Sequence, residues 1–181
     1  MESEKWMDNI LKYLNKRTLI VGDVNSGKTF FTLEILQAFL EAGYAEDIAI
    51  LDLAPNPIRG IGGKMQIPPD CPLLYLTASI SAPRLMGKNE AHTLELAEEN
   101  AHQAEMLFMK FQQQKREILF VNDATLYLQA GSMECFLDML DAASTQIINA
   151  YYGNIFADSA LTRREKQLTE RLMKKAECFM V

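Results

Sequence analysis

The 181 residues carry 49% hydrophobic and 23% charged side chains, proportions that build one globular domain and exclude a disordered or collagen-like chain. Eighteen basic against twenty-four acidic residues give a net charge of −6, which weighs against nonspecific coating of nucleic acid and against a polybasic membrane anchor. Three widely spaced cysteines, Cys71, Cys135 and Cys178, form neither a disulfide framework nor a CxxC metal site and fit a reducing cytoplasm.

In chain order, the opening MESEKWMDNI holds two acids in its first four residues and no long apolar run, which is unlike a signal peptide or a membrane span. Trp6, Ile10, Tyr13 and Leu14 recur at helical spacing, so residues 1–15 predict a short amphipathic helix that covers the sheet. Residues 18–21 (TLIV) are an apolar run ending at a glycine, as a buried parallel strand ends, and Phe31, Ile35, Leu36 and Phe39 mark the helix that follows. Similar runs predict strands at 48–53, 73–76, 118–121, 147–150 and 178–181. The Pro/Gly-rich segment 54–72 reads as one long mobile loop.

Leu94, Ala97, Ala101, Ala104, Phe108 and Phe111 alternate steps of three and four and predict a long amphipathic helix. A shorter helix is expected over 133–143. A last one opens with Thr162 and Glu165 at capping-box spacing and buries Leu168, Leu172 and Met173. His92 and His102 lie ten apart, off any helical ligand spacing, and read as surface residues. Strands that alternate with helices require crossover connections. The expected fold is therefore α/β, a three-layer sandwich with a mostly parallel six-stranded sheet, spanning 1–181 as a single domain.

The turn between the first strand and its helix, GDVNSGKT, fits G-x-x-x-x-G-K-[ST] in full. Phosphates need converging donors, which the backbone of Gly22, Asp23, Val24, Asn25, Ser26, Gly27, Lys28, Thr29 and Phe30 supplies together with a helix N-terminus. Lys28 is expected on the β- and γ-phosphates and the Thr29 hydroxyl on Mg²⁺. This segment resembles the P-loop nucleoside triphosphatases, and the resemblance implies their fold, their nucleotide and their Mg²⁺ requirement, carried by Gly22, Gly27, Lys28 and Thr29.

Two acids end buried strands and are candidates for the metal's carboxylate or for a catalytic base: Asp52 in AILDL, which is also the expected metal ligand, and Asp123 in ILFVND. In the four-apolars-then-acid pattern of a Walker B strand, Asn122 takes the acid's place and Asp123 comes one residue late. The guanine-reading N/T-K-x-D signature is missing at Asn149-Ala150-Tyr151-Tyr152, which favours ATP over GTP. Asn149 is placed to hydrogen-bond an adenine edge, as in MinD-like ATPases, and Tyr151 or Tyr152 to stack on the base. The loop of the MinD group carries an early lysine where this chain has Asp23.

A looser set of elements is similar to the polynucleotide 5′-hydroxyl kinases: the GKT loop, Asp52 ending the second strand, the Gly/Pro-rich stretch after it, and a strand ending in Asn122. A kinase of that kind would take RNA, which the acidic balance disfavours. Arg59 and Lys64 bracket RGIGGK, a segment able to fold over an anion, and Arg84 and the Arg163-Arg164 pair are further candidates for a charge-stabilising finger.

The expected function is Mg²⁺-dependent binding of a nucleoside triphosphate, ATP before GTP, with slow hydrolysis. The expected setting is a cytoplasmic switch whose loops 54–72 and 123–131 order on nucleotide and dock a protein partner or a second copy, with no membrane partner. A phosphotransferase using Asp52 or Asp123 as base is the first alternative, and a sensor that binds without turnover the second.

Overall fold

A computed structural model describes residues 10–181. Its strands are β1 (Arg17–Gly22), β2 (Ile48–Asp52), β3 (Leu74–Thr77), β4 (Ile118–Asn122), β5 (Thr145–Tyr151) and β6 (Glu177–Met180). They form one sheet in the order β3-β2-β4-β5-β1-β6, and every pairing is parallel. The helices are α1 (Lys28–Glu41), α2 (Pro83–Met86), α3 (Glu90–Gln113), α4 (Thr125–Leu128), α5 (Met133–Leu140) and α6 (Ala160–Met173).

Side chains alternate across the strands, and each set finds its own layer. Leu19, Val21, Leu51, Leu119, Val121 and Ile148 point to one face, where α3, α5 and α6 cover them with Phe108, Phe111, Phe136, Met139, Leu168 and Leu172. Ile20, Ile50, Phe120 and Ile147 point to the other, against Ile35, Leu36 and Phe39 of α1, with Ile10 and Tyr13 packed beside them. The result is the three-layer α/β sandwich expected. The covering helix over 1–15 lies largely outside the described residues.

The chain crosses the sheet both ways. From β1 to β2 and on to β3 it uses the α1 face, with Met65 and Leu73 packed there. From β3 back to β4, β5 and β6 it uses the opposite face. Right-handed crossovers demand this exchange of faces with direction. At β1 beside β5, and again at β2 beside β4, neighbouring strands therefore send their loops to opposite faces, and a crevice opens between them at the C-terminal edge.

Three local expectations are corrected. Ser159 rather than Thr162 caps α6: its hydroxyl accepts from the Thr162 backbone N–H at 3.1 Å, and Glu165 is buried instead of closing a capping box. Ser159 and Thr162 are both residues of N-cap type, and although only Thr162 has a glutamate three residues on, Ser159 has the extended backbone that a cap needs. Leu94 is 48% exposed and lies off the buried stripe of α3, which Asn100 and Leu107 join. The segment 123–131 is no open loop, since its Leu126, Tyr127 and Leu128 sit in α4 and are buried.

Candidate functional site

Above the crevice lies a cleft of about 410 Å³ whose walls come from every strand tip except that of β6. The β1–α1 turn contributes residues 24–30, the β2–β3 segment Gly62, Gly63 and Lys64, the segment after β3 Arg84, β4 and its exit Asn122, Asp123 and Gln129, and β5 with its exit Asn149, Tyr151 and Phe156.

The turn after β1 is shaped by backbone demands. Gly22 ends the strand where an added Cβ would lie 2.2 Å from the Val181 carbonyl oxygen and 2.4 Å from Ser26 Oγ, so only glycine fits. Gly27 holds φ 98°, a left-handed value, and a Cβ there would meet no atom within 4 Å. Gly27 immediately precedes α1, whose first turn has neither a side-chain cap nor an acid. The backbone N–H groups of a helix start are left without intrahelical partners, and the axial dipole adds positive character there. Ser26 Oγ lines the same cleft, buried and without a hydrogen-bond partner. These orphaned donors, all at one place, are what an oxyanion would satisfy.

Lys28 is the first residue of α1, and its ammonium reaches back to the Asp23 carbonyl oxygen. Burial pulls its pKa below the ordinary lysine value, while Asp123 and then Asp23 oppose the shift. Lys64 behaves alike: burial lowers it, Asp52 and Asp123 hold it up, and its ammonium donates to the Asp52 and Ala78 carbonyl oxygens at 3.2 and 3.1 Å. Arg84 lies 3.8 Å over the Phe156 ring and 5.2 Å from that of Tyr151, and pairs through Nη1 with Glu165 Oε1 at 2.9 Å. Three cations thus face the cleft in a protein of net charge −6. Among the described residues, the one carboxylate in the lining is Asp123, pushed up to about 6 chiefly by burial, against the pull of Lys28.

Beneath the cleft runs a closed polar chain. Asp52 is fully buried, and its two oxygens accept four bonds: from Ala54 N–H (3.2 Å) and Asn122 Nδ2 (2.9 Å) on one, from Met65 N–H (2.6 Å) and the Tyr75 hydroxyl (2.7 Å) on the other. Asn122 Oδ1 accepts from Asn149 Nδ2 at 2.9 Å, and Asn149 Oδ1 accepts from the Asp123 N–H at 2.8 Å. Asn149 Nδ2 also reaches Thr32 Oγ1 at 2.9 Å. Position 122 must donate toward Asp52 and accept from Asn149, which an amide does and a carboxylate does not. The asparagine that breaks the Walker B pattern is fixed by this double duty.

Two sequence expectations change on this geometry. Asp52, expected to serve a metal or act as base, lines no part of the cleft, and all four of its acceptor positions are filled from within the protein. Asn149, expected to read a nucleobase edge, borders the cleft, but both ends of its amide are bound inside the network.

Among the remaining candidates, Arg59 is exposed at the tip of a turn between Ile58 and Ile61, where it and Gly60 take left-handed φ of 53° and 75°. Gly22 and Asp23 sit behind the lining, whereas Val24, Asn25, Ser26, Gly27, Lys28, Thr29 and Phe30 form it. Arg163 pairs with Asp158, Arg164 donates to the Gly131 carbonyl oxygen, and Tyr152 binds Glu170. None of the three lines the cleft. The segment 54–72 is fastened to the Asp52 carboxylate at Ala54 and Met65.

Three residues in or beside the cleft escaped the sequence reading: Phe156 under Arg84, Glu165 behind it, and Gln129. Gln129 and Glu165 lie among predominantly apolar buried neighbours, a faint signal, and their partners lie 36 and 81 residues away. No protein-family model matches this sequence, and no curated protein matches it.

Proposed function

We propose that the chain is a Mg²⁺-dependent nucleoside triphosphatase of the P-loop kind, binding ATP in this cleft and hydrolysing it slowly. One observation carries the reading: a G-x-x-x-x-G-K-T turn opens an uncapped helix whose orphaned N–H groups, buried Ser26 hydroxyl and Lys28 ammonium converge on one cavity. The β- and γ-phosphates would sit over Gly27, replacing the Asp23 carbonyl oxygen as the partner of Lys28, with Lys64 and Arg84 on the far wall.

The residues present suit Mg²⁺ held mainly through the substrate's own phosphates. Among the described residues, the Thr29 hydroxyl has only a long 3.5 Å contact, in which it donates to Asn122 Oδ1, so its lone pairs are available. No cluster of three or more His, Cys, Asp or Glu suited to a metal exists among the described residues. Bound there, beside the Thr29 hydroxyl, the ion would neutralise charge on the triphosphate.

Asp123 takes the role of the water's general base. Water oxygen bonds to the γ-phosphorus as the bond to the bridging oxygen breaks. ADP leaves, and the water's proton passes to the Asp123 carboxylate and then to solvent. Tyr151 and Phe156 narrow the cleft with Arg84 held across them. The buried network below positions Asp123 through its own N–H.

The test is Lys28→Ala. Wild type is expected to melt higher with ATP and Mg²⁺ than without, and the variant to lose affinity by about a hundredfold, on the order of 2.7 kcal/mol, with its ligand-free melting unchanged or raised. Equal melting shifts in the two proteins would remove the proposal.

A further inference from the structure

The cleft is larger than its phosphate end, and the inner wall carries a polar atom that no described residue satisfies. Gln129 is 1% exposed and lines the cleft; its Nε2 donates to Glu165 Oε2 at 2.8 Å, while its Oε1 has no hydrogen-bond partner. A buried amide oxygen without a donor forfeits its hydration with no return, and a ligand hydroxyl or amine placed there would recover it. The oxygen cannot exchange places with the nitrogen while Glu165 is ionised, because two acceptors would then face each other.

Arg84 stands on the same wall. One nitrogen of its guanidinium is bound to Glu165, and among the described residues its other N–H groups have no partner. The plane is held by the stack on Phe156, so the fork points a fixed set of donors at whatever enters. Leu85 and Leu126 supply apolar flanks, and Asp123 stands in the lining between this end and Lys28.

We infer that this inner end binds a second substrate, a small hydroxyl-bearing organic anion, with its carboxylate or phosphate on Arg84 and a donor group on Gln129 Oε1. Its hydroxyl then replaces water beside Asp123. The acceptor oxygen bonds to the γ-phosphorus as the bridging P–O bond breaks, ADP departs, and the hydroxyl proton passes to Asp123. The products are ADP and a phosphate monoester. This assignment rests on nucleotide binding at the Gly27 end, and it makes the enzyme a phosphotransferase whose slow hydrolysis is the leak that occurs when the inner end is empty.

The experiment uses the full chain with Mg²⁺ and ATP labelled in its γ-phosphate, offered glycerate, serine, glycerol 3-phosphate and ribose 5-phosphate in turn. Each presents a hydroxyl with a carboxylate or a phosphate. Label is expected in an organic phosphate ester with at least one of them, and Gln129→Leu is expected to lower that transfer tenfold or more at saturating ATP. Label appearing only as inorganic phosphate, at a rate that none of the four compounds changes, would overturn the second-substrate site and leave ATP binding standing. Absence of any ATP-dependent melting shift would overturn both. Transfer by Gln129→Leu equal to wild type would remove Gln129 from the site, and should that variant not fold, the labelling pattern of the wild type alone decides.

Discussion

Two polar regions meet at the C-terminal edge of the sheet, a few ångströms apart and oppositely built. In the chain from Tyr75 through Asp52 and Asn122 to Asn149, donors and acceptors are matched within the protein, with four bonds on Asp52 alone. In the cleft above it, the start of α1 is uncapped, and Ser26 Oγ and Gln129 Oε1 are buried without partners. Polarity alone does not mark a site. Asp52 looks at least as catalytic as Asp123 in sequence, yet its contacts are those of a joint, while the cleft keeps polar groups that a ligand can satisfy.

The sharpest way to break this contrast is Asn122→Asp. It sets a second carboxylate 2.9 Å from Asp52 Oδ1 in a fully buried position, and the two cannot both ionise. We expect a loss of about 3 kcal/mol or more at pH 8 by denaturant unfolding. Much of it should return near pH 5, where the pair shares a proton. A harmless Asn122→Asp would show that the lower region is no closed network.

Asp123 gives a smaller effect of defined sign. Burial pushes its carboxyl from the ordinary value near 4 up to about 6. An acid whose folded pKa exceeds its unfolded pKa leaves stability untouched at low pH and costs stability as pH rises from about 4 through 6. Without nucleotide or metal, wild type should lose on the order of 1 kcal/mol relative to Asp123→Asn between pH 4 and pH 7, after allowance for its partial exposure. Parallel stability curves for the two proteins would place Asp123 outside the low-dielectric cleft.

The smallest expectation sharpens the boundary. Arg59→Ala should leave ATP affinity within about twofold of wild type, because the side chain is exposed on a turn outside the lining. A tenfold loss by calorimetry would bring the turn at 58–61 into the site.

Sequence patterning made the elements legible, because a parallel sheet buried on both faces leaves continuous apolar runs, and all six strands lie where those runs predict. The turn at 22–29 was legible for a similar reason, since its chemistry is local. What stayed hidden depends on distant pairs. The duties of Asp52 are set by Met65 and Tyr75, 13 and 23 residues on, and by Asn122 seventy residues on. Glu165 passes for a capping residue until Arg84 arrives from 81 positions upstream. Strand order, which decides that β5 lies between β1 and β4 and so brings Asn149 to Asn122, leaves no trace in composition or period.

The way Asp52 gathers Ala54 and Met65 onto one carboxylate has a consequence for how this protein can vary. Both ends of the segment 54–65 are tied at a single knot on the sheet, so the exposed turn at 56–60 between them is a detachable handle. Its length can change at a closure cost of roughly 0.6 kcal/mol per doubling, with β2, the cations beyond it and the layers beneath left in register. An engineer seeking a different occupant for the cleft would splice there first.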